Sequence, residues 1–97
     1  MNLIKLLSKI KKGKSSMEGI LTFIDNTDST ESIGLILNAY TERLLNNNSN
    51  INSWWDSYHT TKITFYRFCS HYDTEKALRL INKIESYKPN EEEFEVL

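Results

Sequence analysis

Apolar residues recur along this chain at steps of three and four, the repeat of an amphipathic helix, with little of the strict alternation of a half-buried strand. Leu3, Ile4, Leu7 and Ile10, with lysines between them, predict a short opening helix that Gly13 stops. Ser15 followed by Glu18 has the spacing of a capping box, in which each side chain satisfies a free backbone N–H at a helix start. Met17, Ile20, Leu21 and Ile24 then mark a second buried face, and Asp25-Asn26-Thr27 reads as a break. Asp28 and Glu31 repeat the cap spacing ahead of a third helix, whose inward face is Ile33, Ile36, Leu37, Tyr40 and Leu44 and which ends near Leu45. Asn46-Asn47-Asn48-Ser49-Asn50 reads as a loop, because Asn and Ser side chains compete for backbone hydrogen bonds.

Residues 53–72 admit two readings. Lys62–Phe68 is β-branched and aromatic, as a strand would be, but both of its faces would be apolar. As a helix, Trp54, Tyr58, Thr61, Phe65, Phe68 and Tyr72 fall on one stripe, and that regularity makes helix the preferred reading. Asp73 or Thr74 caps a last helix with Ala77, Leu78, Ile81 and Ile84 inward, and Pro89 ends it. The expected fold is therefore all-α, one domain of four or five short helices over residues 1–89, with α+β and a strand at 62–68 as the rival. Residues 90–97 form an acidic tail, expected to be disordered or else to dock Phe94, Val96 and Leu97 on a partner.

Composition narrows the function classes. A chain of 97 residues has room for one domain, and a deep substrate cleft would consume much of its core. Its three Gly and one Pro are too few for a many-stranded sandwich. Cys69 is the single cysteine, which points to a reducing, cytoplasmic setting and not a disulfide scaffold. No apolar run reaches the roughly 20 residues of a membrane span. The net charge of −1 hides an asymmetry: residues 1–14 carry five lysines and no acid, and the other 83 residues carry seven bases and thirteen acids. An acidic body favours basic partners and repels nucleic acid.

Catalytic chemistry finds little support. In one helix His59 and His71 would stand about 120° and about 18 Å apart, too far round and too far along to share a substrate. Cys69 and His71 are two ligand types, whereas zinc takes four, or three and a water. Cys69 reads better as a small buried apolar residue. Gly13, Gly19 and Gly34 are isolated and build no phosphate loop. No enzyme, cofactor, metal site or small-molecule substrate is expected.

The aromatic run is the most informative feature. Trp55 and Tyr66 share an azimuth with Lys62 on a side of the helix away from its core stripe, either as exposed anchors for a partner or as further core. With Asp56 and the tail carboxylates Glu91, Glu92, Glu93 and Glu95 they form the candidate partner-binding set. A small, acidic, cytoplasmic chain with aromatics beside carboxylates resembles bacterial immunity proteins as a class. The resemblance implies a protein-binding inhibitor or antitoxin that blocks a basic, nuclease-type toxin. The alternative is a regulator or adaptor that uses the basic N-terminal helix on nucleic acid or a membrane surface. Neither is an expected partner, since a core helix with a solvated lysine face is the preferred reading there.

The purified chain alone should cleave neither RNA nor DNA and should retain no stoichiometric transition metal. Hydrolysis abolished by His59→Ala or His71→Ala, or zinc lost on Cys69→Ser, would show that these groups converge after all.

Overall fold

Every helix among the described residues begins at a polar side chain that accepts the backbone N–H three residues on. Asn2, Ser16, Ser29, Ser53 and Asp73 accept from Lys5, Gly19, Ser32, Asp56 and Lys76 at 2.8, 3.0, 3.1, 3.1 and 2.9 Å. Each bond satisfies a donor that has no partner inside the helix. The computed structural model describes residues 2–90. Among these run α1 (Leu3–Lys11), α2 (Met17–Asp25), α3 (Thr30–Asn47), α4 (Trp54–Cys69) and α5 (Thr74–Ser86), with no strand. The fold is all-α, and residues 62–68 are helix.

Two caps differ from expectation. α2 and α3 start from Ser16 and Ser29, one residue after Ser15 and Asp28. Periodicity fixes which face of a helix is buried, and the Ser15-Ser16 and Asp28-Ser29 doublets each offer two starts. The reciprocal bond from Glu18 or Glu31 is not made, but both acids stay in the first turn, where the helix dipole favours them. The stop at Gly13 is as expected. With φ at +71° it closes a Schellman motif, its own N–H bonding Ile10 O at 3.0 Å and the Lys14 N–H bonding Lys9 O at 2.9 Å. Asn46 and Asn47 belong to α3, so the loop starts later. It turns on Asn48, whose side chain accepts from Asn50 N at 2.9 Å.

Two apolar residues also face the other way. In α1 the core takes Leu6 and Ile10, with Leu3 and Leu7 against it, and Ile4 is 79% exposed. In α5 it takes Leu80 and Ile84, with Ala77 and Ile81 alongside, and Leu78 is 55% exposed. The stripes 3-6-7-10 and 77-80-81-84 are the true ones, and Ile4 and Leu78 lie about 100° round from their first members.

α3 lies against α1, α4 and α5, and α2 packs on α5 and α4. Ile33, Ile36 and Leu37 of α3 meet a core that includes Tyr58, Phe65 and Cys69 of α4, and Tyr40 stands edge-on to Phe65 at 5.1 Å. The expected stripe of α4 buries Tyr58, Thr61 and Phe65, while Trp54, Phe68 and Tyr72 pack half-buried at its edges. Tyr72 lies past the end of α4, in the turn before α5. α5 is tied to the end of α2: Arg79 pairs with Asp25 at 2.7 Å, and the Lys83 ammonium donates to the carbonyls of Ile24, Asp25 and Thr27. A lysine there satisfies the last carbonyls of α2 and complements its dipole. No helix among the described residues is long and apolar enough to cross a membrane.

The corrected face of α5 has a direct consequence. Leu80→Ala should cost about 2–5 kcal/mol in urea denaturation, the ordinary loss for a buried leucine. Leu78→Ala should stay within about 0.5 kcal/mol. Equal losses at the two positions would contradict this face.

Candidate protein-binding face

Trp55, Lys62 and Tyr66 follow one another at steps of seven and four, which sets them along one side of α4, clear of the Tyr58–Phe65 stripe. Trp55 is half-buried. Its indole stands edge-on to Trp54 at 5.1 Å and to Tyr58 at 6.1 Å, and Trp54 stacks on Tyr58 at 5.1 Å. Edge and offset contacts of this kind align the ring quadrupoles and hold each ring in one orientation.

Tyr66 is also half-buried, and its hydroxyl donates to Glu85 Oε1 on α5. The same oxygen lies 3.1 Å from Lys62 Nζ, which sits 5.7 and 6.0 Å from the ring centres of Tyr58 and Tyr66. The Tyr66 hydrogen bond holds the Glu85 carboxyl below its ordinary range against the opposing effect of burial, with Lys62 adding to the lowering. Burial first, and the Glu85 bond second, pushes the Tyr66 phenol up, so it stays a donor at neutral pH. Burial likewise pushes the Tyr58 phenol up.

The structure therefore sets Trp55 and Tyr66 on one edge of α4, partly in the core and partly at the surface. Asp56 is exposed in the first turn of α4, about 100° round from Trp55, at the rim of this face. Glu91, Glu92, Glu93 and Glu95 lie outside the described residues. Sequence reasoning missed Glu85. Its position four residues after Ile81 puts it on the outer edge of α5, but its meeting with Tyr66 depends on how α5 lies on α4, which no local pattern encodes.

His59 and His71 are both exposed. His71 stands beyond the end of α4 and touches the Phe68 ring edge-on at 5.5 Å. Cys69 is fully buried, and burial pushes its thiol up, away from the thiolate that a nucleophile needs. Among the described residues no cluster of three His, Cys, Asp or Glu side chains could hold a metal ion. Compared with known proteins, the chain matches no family model, no curated sequence and no solved structure.

The Tyr66–Glu85 bond predicts a pH effect. A carboxyl whose folded pKa is depressed adds stability above its unfolded pKa of about 4.3, and that stability is lost as pH falls through the folded value. Tyr66→Phe removes the largest cause of the lowering. In a carbon-detected NMR titration the Glu85 carboxyl should then titrate at higher pH, and acid unfolding should respond less to Glu85→Gln. An unchanged Glu85 titration in Tyr66→Phe would contradict the assignment.

Proposed function

We propose that this chain is a protein-binding neutraliser, of the immunity-protein or antitoxin kind, whose partner is a basic, nuclease-type toxin. The observation that carries the reading is the ordered row of Trp55, Lys62, Tyr66 and Glu85 across α4 and α5. Its aromatic side chains are held by their neighbours before any partner arrives: Trp55 by the rings of Trp54 and Tyr58, Tyr66 by Glu85. Side chains already fixed lose little entropy on docking, and aromatic residues supply the largest contact energy per position. Asp56 beside this row, and the tail carboxylates, provide the charge that steers a basic surface into place. The candidate set is thus Trp55, Asp56 and Tyr66 with Glu91, Glu92, Glu93 and Glu95, now joined by Lys62 and Glu85. Inhibition by surface contact needs no cofactor and no small-molecule substrate. Such a neutraliser works in the cytoplasm, which suits the free thiol of Cys69.

The test is neutralisation of nucleases encoded beside the gene for this chain. An equimolar amount of the chain should abolish the activity of such a nuclease and co-elute with it. Asp56→Lys, exposed in the first turn of α4, should lower the melting temperature only slightly, through the helix dipole, and should slow association, with the effect on association fading as salt rises. Trp55→Ala should speed dissociation and weaken the complex by roughly 2 kcal/mol or more. It should also lower the melting temperature modestly, because the indole is partly packed. A neighbouring nuclease that stays fully active with excess chain, or a complex indifferent to both variants, would overturn this reading.

A further inference from the structure

The face just described leaves unexplained the feature that departs furthest from the chain's average, the charge of its first turns. Lys5, Lys9, Lys11, Lys12 and Lys14 are all exposed, and among the described residues no ion pair involves any of them. The Arg43 guanidinium lies directly over Gly13, where an added Cβ would collide with it, and so brings a further positive charge beside Lys12 and Lys14. Residues 15–90 carry seven bases and nine acids, a net −2, against five lysines and no acid in residues 1–14.

An apolar edge accompanies the charge. Ile4 is turned outward, 79% exposed, one turn before Leu7 and two before Lys11 on the same side of α1. Leu7 and Lys11 line a groove between α1 and α3 together with Leu35, which is itself exposed. The carboxylate of Glu42 also lines that groove, and Glu31 is exposed one turn before Leu35. On the other side Glu18, also exposed, lines a groove with Lys9 and Lys14. These three acids bound any contact with an anionic surface, so that it falls on the outward face of α1 and not on α2 or α3.

We propose that the outward face of α1 docks on an anionic lipid bilayer, with its lysines among the headgroup phosphates and Ile4 inserted below them. A phosphate-rich surface complements the lysines, whatever carries the phosphate. Ile4 decides between carriers. An exposed isoleucine gains nothing against a nucleic-acid backbone, whereas at a bilayer its side chain leaves water for the acyl boundary. The helix keeps its packing on α3 throughout, since Leu6 and Ile10 stay in the core. The surface is separate from the aromatic face on α4 and α5.

Sedimentation of the full chain with phosphatidylcholine vesicles, with and without phosphatidylglycerol, tests this, alongside a duplex DNA control. Binding is expected with phosphatidylglycerol only, and should fade as salt rises. Each Lys→Gln change among Lys5, Lys9 and Lys12 should weaken it about fivefold. Ile4→Asn leaves the charge unchanged and, at an exposed position, should leave the melting temperature unchanged. It should weaken vesicle binding about tenfold. Trp55→Ala should have no effect on it, so the two faces can fail separately. No partition to anionic vesicles overturns the proposal. So does partition that ignores Ile4→Asn while duplex DNA is bound equally well, which would mark a general phosphate-binding patch.

Discussion

Three buried hydroxyls hold α3 and α4 in register, and most of the molecule is arranged around that seam. Thr41, Ser57 and Thr61 are completely enclosed, so each hydroxyl hydrogen must find an acceptor within the protein. The distances allow one consistent assignment. Ser57 donates to the Thr41 carbonyl at 2.6 Å, and Thr61 donates to the Ser57 carbonyl at 3.1 Å. Thr41, whose oxygen lies 3.0 Å from that of Thr61, then donates to it. A slide or rotation of α4 would strand at least one of these donors. With α4 so fixed, Phe65 meets Tyr40 on one side, and Trp55, Lys62 and Tyr66 emerge on another.

α5 is located in the same way by contacts to two other helices. In its middle and last turn, Arg79 and Lys83 hold the end of α2. Past its end, the Tyr87 ring lies on Gly34 of α3 so closely that a Cβ there would collide with it, and the Asn38 amide donates to the Tyr87 hydroxyl at 3.0 Å. Gly34 thus serves α3 by having no side chain. Glu85, two residues before Tyr87, is carried to Tyr66 and Lys62 by that docking. The row across α4 and α5 is a by-product of the core as much as a surface feature, which gives it its order and also its partial burial.

The helical class and most of the inward faces were legible in the sequence, because a 3.6-residue repeat is written locally, and the five helices fall within the expected four or five. Gly13 was legible too, and the last cap was narrowed to Asp73 or Thr74, of which the structure uses Asp73, since a cap and a left-handed stop demand particular residue types. Ile4 and Leu78 were misread because a short apolar cluster fits two stripes about 100° apart. Only the neighbouring helix decides which one is buried. The side of α4 that carries Trp55 and Tyr66 was legible from spacing alone. Glu85 was not, since it joins them only through the crossing of two helices. The charge pattern could be counted but not placed. Four of the thirteen acids belong to the tail, so residues 15–90 are only slightly acidic, and the basic helix contrasts with its surroundings less through their charge than through its own.

The account rests on the claim that the hydroxyls of Thr41 and Thr61 act as one unit that fixes α4 on α3. A double-mutant cycle with Thr41→Val and Thr61→Val, followed by urea denaturation, measures this directly. Thr61→Val leaves the Thr41 hydroxyl buried without an acceptor and should cost about 1–3 kcal/mol. The double variant replaces both partners with apolar groups of the same shape and should be less destabilised than the sum of the single variants by about 1 kcal/mol or more. Strictly additive losses would mean that the two side chains do not depend on one another, and that the position of α4 is set by apolar packing alone.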